Sequence, residues 1–180
     1  VFYLIAFLVV LLLYHAPEPD ALPDGTGRRE RPAMRTLLAA PGFLLVMAAI
    51  AAVTFVDRSF GPVLPLFVQN LGLGTDQVVM VSGILFSAAA ITAAAGNQVC
   101  PALLRRTTAG RVIGGGAALS AVALVLFLLV PSVAAMIIAF ALFGLGIGAA
   151  TTAAYTAGGY AIPPGGQAMG FGFLTGAGLA

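Results

Sequence analysis

Residues 55–69 read FVDRSFGPVLPLFVQ. They set Asp57 and Arg58 side by side in an apolar run, with Pro62 and Pro65 close behind. Residues 37–56 before the pair and 78–96 after it carry no charged side chain at all. How those flanks are read decides the fold. A bilayer core about 30 Å thick is crossed by roughly 20 apolar residues in a helix, and both flanks meet that length. A charge at the bilayer centre costs about 2.5–3.5 kcal/mol, whereas each Leu, Ile, Val or Phe contributes only about 0.3–0.6 kcal/mol in favour of insertion. The apolar neighbours therefore carry the helix into the membrane in spite of the pair.

Composition agrees. Hydrophobic residues make up 61% of the 180 residues and charged residues 8%, against roughly 45–50% and 25% in a soluble domain. Mean hydropathy is +1.08. The fold class is all-α: a polytopic helical membrane protein. The net charge of +2 is no nucleic-acid footprint, because every basic residue is Arg and seven of the eight fall in two short connecting stretches. Cys100 is the single cysteine, so no intramolecular disulfide forms, and no Cys/His spacing suggests a metal. The chain opens directly on the apolar run VFYLIAFLVVLLLY without a basic stretch before it, and it stops inside another apolar segment. We read it as a fragment cut at both ends.

Residues 1–14 read as the end of a transmembrane helix. Residues 15–36, rich in Pro, Gly, Asp and Arg, read as a solvated linker, with His15 at the membrane edge. Spans follow over 37–70, 78–98, 113–130 and 133–160, and another begins after Gly170. Pro41, Pro62 and Pro65 predict kinks or breaks in the first of these. The short links QNLGLGTDQ and PS predict that consecutive helices pack as antiparallel neighbours. Arg28, Arg29, Arg31 and Arg35 fall in the linker, and Arg105, Arg106 and Arg111 fall between the third and fourth spans of the chain. Positive charge stays inside, so both stretches are expected on the cytoplasmic face.

Small residues let helix backbones approach closely in lipid. Gly83, Ser87, Ala90, Ala94 and Asn97 share one helix face by their spacing, which predicts a packing face there. Gly144 and Gly148 stand one turn apart. Gly144, Gly146 and Ala149 formally match a dinucleotide-binding spacing, but no strand precedes them and no βαβ unit surrounds them. No nucleophile and base are patterned as in a hydrolase, so the chain is not expected to be an enzyme.

Two readings of Asp57 and Arg58 stand side by side. Ionisable residues inside a membrane commonly face a bundle interior or a water-filled cavity and mark a pathway. Alternatively the helix begins near Phe43, and the charges snorkel or pair with another helix as a structural ion pair. Adjacent helical residues diverge by about 100°, so each needs its own partner. If Asp57 is desolvated, it becomes able to take up a proton near neutral pH, whereas Arg58 stays charged. Thr151, Thr152, Tyr155, Thr156 and Tyr160 form a polar stripe, with Thr54 beside Arg58 on its own helix. Thr54, Thr152, Tyr155 and Thr156 are candidate cavity-lining residues. Ser and Thr also commonly bond their own helix backbone. Asn97 and Gln98 read as interface polarity at a span end.

The stretch GPVLPLFVQNLGLG, residues 61–74, resembles the outer end of the first helix of each half in the major facilitator superfamily, in particular its drug:proton antiporters. PALLRRTTAGRVI, residues 101–113, is similar to the family's cytoplasmic loop motif, with Arg106 and Arg111 in place and Arg105 and Thr108 standing where the family has Asp and Gly. IPPGGQAMGFG, residues 162–172, resembles the loop after the tenth helix, keeping Pro163 and Pro164 without the family's charges. The resemblance implies the stretch from the end of the sixth helix to the start of the eleventh, so that residues 37–180 would be a truncated C-terminal half of a twelve-helix bundle. It implies secondary active transport of small organic molecules by alternating access, as proton-coupled export, in a multi-pass protein of the cell (inner) membrane. Partners would be a small-molecule substrate, protons, the lipid bilayer and a missing N-terminal half. No cofactor and no nucleic acid are implied. Asp57 and Arg58 become candidates for substrate or proton coupling. The alternative from another class is a non-transporting membrane scaffold or assembly protein.

Overall fold

The computed structural model describes residues 34–129, 132–163 and 165–179. The expected helix end at 1–14 and the linker up to residue 33 lie outside the described residues. The described residues form six helices in order: α1 (Met34–Leu38), α2 (Phe43–Gln69), α3 (Thr75–Leu104), α4 (Ala109–Leu129), α5 (Val133–Ala161) and α6 (Gln167–Leu179). Residues 34–36, expected in the linker, open α1. Among the described residues four helices, α2 to α5, are long and apolar enough to cross a membrane.

Local sequence sets the boundaries. Pro41 closes α1, and Gly42 takes the left-handed φ of 82° that turns the chain into α2. Pro62 and Pro65 do not break α2, which runs 27 residues without interruption, correcting the expectation of a break there. Each proline removes one amide donor, leaving the carbonyls of Arg58 and Gly61 without their helical partners. Gly72, at φ 74°, makes the turn into α3. Ser132 caps α5, its Oγ accepting from the Ala135 amide at 3.2 Å.

The axis of the bundle is α5. Half of its most apolar window is buried, against 17%, 22% and 28% for α2, α3 and α4. Along its middle, its glycines bring it to backbone distance of α3 and α4. A Cβ placed on Gly144 would strike the Ala89 carbonyl, and one on Gly148 the Ala93 carbonyl, both on α3. A Cβ on Gly146 would lie 2.5 Å from the Gly116 carbonyl and from the Ser120 hydroxyl on α4. Ser120 donates to Gly116 O at 2.9 Å and across the interface to Phe143 O at 3.3 Å. Consequently α3 and α4, though consecutive, barely touch each other, and each lies along α5. The helices joined by the short link PS, α4 and α5, do pack closely, whereas those joined by QNLGLGTDQ, α2 and α3, touch more lightly.

The face of α3 that packs is also not the expected one. Gly83, Ser87, Ala90, Ala94 and Asn97 are exposed, while Val78, Val81, Ser82, Leu85, Gly96 and Cys100 are buried. Two larger clusters pin α2. At one end Phe43, Val46 and Ile50 join Leu37, Ala154, Ile162 and Leu174. At the other, Leu64 and Val68 join Val81, Leu85, Phe127, Met136 and Phe140, with Phe60 edge-on to Phe140 at 5.5 Å and to Phe143 at 5.0 Å.

A matched pair of substitutions separates the packing face from the open one. Gly148→Val forces a side chain into the α3 backbone and lowers thermal stability in detergent by roughly 1–3 kcal/mol or prevents folding. Gly83→Val adds a side chain where nothing lies within 4 Å and stays within about 0.5 kcal/mol of the parent. Equal losses in the two melting curves would refute this packing.

Candidate functional site

The middle of α2 is not packed. Its buried residues are Phe43, Val46, Ile50, Leu64 and Val68, with none from 51 to 63. Part of the reason lies in the sequence: from Ala51 to Gly61 most residues are small or polar, Phe55 turns outward at 74% exposure and Val56 is exposed too, while Phe60 reaches inward to Phe140 and Phe143. Asp57 and Arg58 occupy this gap. Asp57 lies 14 residues past Phe43 and 12 before Gln69, about 20 Å from either end at 1.5 Å per residue. The helix does begin at Phe43, yet it is long enough to hold the pair near mid-membrane.

The two charges look into different spaces. Asp57 borders a cavity of about 450 Å³ between α2, α3 and α5, whose walls include Phe86, Asn97, Phe143, Gly148 and Thr151. Arg58 borders one of about 520 Å³ between α2 and α6, with Phe55, Ser59 and Gly178. Both side chains are exposed. The roughly 100° between successive residues produces the divergence. Glycine on α5 shapes the first cavity, because Gly144 and Gly148 draw α3 against α5 and leave no side chain to fill the space beside them. Phe86 and Phe143 stand toward the α2–α3 turn, and Asn97 toward the α3–α4 turn.

Asn97 is the feature that sequence reading undervalued. The third span was expected to end near residue 98, but α3 continues to Leu104, placing Asn97 about 10 Å inside the helix end. Its Oδ1 accepts a hydrogen bond from Thr152 Oγ1 at 2.9 Å, joining α3 to α5. Pro101 leaves the Asn97 carbonyl without its helical donor as well. The spacing Asn97 to Pro101 was the available signal. Thr151, also part of the cavity wall, stood in the polar stripe without being singled out.

The other candidate residues take separate places. Thr54 Oγ1 donates to the Ile50 carbonyl, and Thr156 Oγ1 to the Thr152 carbonyl at 2.7 Å, so both hydroxyls are met by their own helices. A methyl on Gly178 would lie 3.3 Å from both the Thr54 hydroxyl and the Tyr155 hydroxyl, which puts these two at the α2–α5–α6 junction. Arg105 and Arg106 lie in the α3–α4 turn and Arg111 in the first turn of α4, all exposed. Among the described residues no group of three or more His, Cys, Asp or Glu is placed to hold a metal. A carboxylate, an amide and a hydroxyl around one open cavity with aromatic walls suit reversible binding of a small solute.

If the Asn97–Thr152 bond ties α3 to α5, Thr152→Val and Asn97→Ala each lower stability by about 0.6 kcal/mol, with an upper bound near 1.7 kcal/mol. The double variant shows coupling of the same size by unfolding in detergent, whereas strictly additive losses would mean that the bond contributes nothing.

The family described as Major Facilitator Superfamily matches residues 1–180. Comparison with curated proteins and with solved structures found no match. The match spans the whole chain, and the described helices are those of a multi-pass integral membrane protein. The chain belongs to the Major Facilitator Superfamily, whose members carry small solutes across membranes.

Proposed function

We propose that this chain supplies most of the C-terminal half of a proton-coupled exporter of small organic molecules, of the drug:proton antiporter kind, in the cell (inner) membrane. In this reading residues 1–14 end the sixth helix, residues 15–36 form the cytoplasmic link between halves, and residues 37–180 run from the seventh helix into the eleventh. The observation that carries it is Asp57, held at mid-helix in an unpacked stretch of α2 and bordering an open cavity with Asn97 and Thr151.

The physical case is one of solvation. A carboxylate and a guanidinium at that depth cannot rest against lipid without a penalty of several kcal/mol. The face that bears them needs water, substrate or a second half to cover it. With that cover the two cavities become one central space, and the halves rock around it. Asp57 is the proton-coupling group: ionised it attracts substrate, and protonated it releases it. Arg58 fixes a positive charge on the side toward α6 and orients anionic or polar parts of the solute. Thr152, through Asn97, and Thr54, Tyr155 and Thr156 line the path. Arg105, Arg106 and Arg111 form the loop at the cytoplasmic end that differs between the two rocking states. A scaffold would use the charges to tie helices together. Instead, Asp57 and Arg58 diverge into separate cavities, which favours transport.

Proteoliposomes holding the full-length protein test this reading, with ethidium as the probe and an imposed pH gradient. Asp57→Asn is expected to reduce gradient-driven ethidium efflux to the level of empty vesicles while ethidium binding persists. Undiminished efflux by the correctly folded variant would remove Asp57 from the coupling step.

A further inference from the structure

Where α3 and α4 part company over α5, they leave a second trough that the transport reading does not use. It is a groove of about 410 Å³ with its floor on Gly116, Gly146 and Ala149 and its walls on Val99, Leu103 and Leu119. Thr107 and Arg111 stand at its mouth. The cause is again the absence of side chains. Gly96 sits on Leu145 and Ala149 of α5, and Gly116 on Gly146 and Ala150, so both flanking helices are drawn down onto α5 while nothing bridges them. The seam between α3 and α5 separates the groove from the Asp57 cavity, which lies beside Ala93 and Gly148.

Two independent features identify its occupant. The interior is apolar, and its outer rim continues into exposed apolar residues, Val99 and Leu103 on α3 and Val122 on α4. This is a surface turned to hydrocarbon. The mouth, by contrast, is basic: Arg111 lines it, Arg105 and Arg106 stand exposed in the adjoining turn, and no Asp or Glu occurs after Asp76. An apolar trough with exposed guanidinium groups at its mouth, at a membrane edge, is complementary to an anionic phospholipid. Basic pockets between transmembrane helices at the cytoplasmic side hold such headgroups, and Arg binds phosphate through a planar fork of donors. A free phosphate would have no use for the apolar length, and a neutral lipid none for the arginines.

We infer that this groove is a binding site for an anionic phospholipid, with an acyl chain lying along Gly115, Gly116 and Leu119 and the phosphate held by Arg111 and the Thr107 hydroxyl. The lipid fills the space between α3 and α4 and so takes the place of the helix contact that they lack. The site makes the loop carrying Arg105 and Arg106 responsive to the charge of the surrounding leaflet.

Native mass spectrometry of the purified full-length protein, titrated with dioleoyl phosphatidylglycerol or dioleoyl phosphatidylcholine, tests the assignment. Phosphatidylglycerol is expected to bind the more tightly. Arg111→Gln weakens phosphatidylglycerol by about fivefold and leaves phosphatidylcholine unchanged. Gly115→Leu fills the groove, and because nothing lies within 4 Å of that position it reduces binding of both lipids without lowering the melting temperature. Equal binding of the two lipids, or indifference of phosphatidylglycerol to Arg111→Gln, would overturn the proposal. So would displacement by glycerol 1-phosphate at the same concentration, which would make the site one for a soluble phosphate. A change of oligomeric state with Gly115→Leu in place of lost lipid would give the groove to a second copy and overturn it equally.

Discussion

In lipid, helices gain nothing by hiding apolar side chains from a solvent that is just as apolar, so a bundle rests on how closely its backbones can approach. Here that approach is concentrated on one helix. Gly144 and Gly148 admit α3 on one side of α5, and Gly146 admits α4 on the other. Dispersion contacts and the Ser120–Phe143 hydrogen bond supply the attraction. With both of these sides of α5 occupied at backbone distance, α2 is left to pack by side chains, which it does at its two ends.

The site follows from that geometry. A helix whose buried residues fall at Phe43–Ile50 and Leu64–Val68, with Phe60 reaching inward between them, is a beam over a gap. The gap is where a charged pair can be tolerated, because the charges need not displace packed side chains and have cavities to face. Pro62 and Pro65 add carbonyls without helical donors on the same helix, and Pro101 adds another at Asn97. Carbonyls without helical donors therefore lie on the middle of α2 and about 10 Å inside the end of α3, while exposed apolar residues of α3 and α4 face outward.

Much of the fold was legible in the sequence. Among the described residues, long apolar runs located the four spanning helices α2 to α5, since hydropathy and length are what a bilayer selects. Pro41 marked a real boundary. The packing faces were not legible, because in lipid the inward and outward faces of a helix are equally apolar. On α3, small residues occur at Gly83, Ala90 and Ala94 as well as at the buried Gly96, and spacing alone cannot say which of them meets a partner. Pro62 and Pro65 suggested a break, yet a helix whose freed carbonyls border a cavity runs on through them. Asp57 and Arg58 announced themselves by charge. Asn97 did not, since its span continues past the point where the apolar run fades, so a residue that read as interfacial stands within the helix.

The claim on which the rest turns is that water reaches the unpacked middle of α2. Its most direct measurement is thiol accessibility in native membranes, on the full-length protein with Cys100→Ala as background, using a membrane-impermeant methanethiosulfonate. Asp57→Cys and Thr151→Cys should be modified, and Val122→Cys, on the outward face of α4, should not. If cysteines at 57 and 151 prove as inert as the one at 122, the stretch is sealed by protein or lipid, and Asp57 and Arg58 are fixed structural charges.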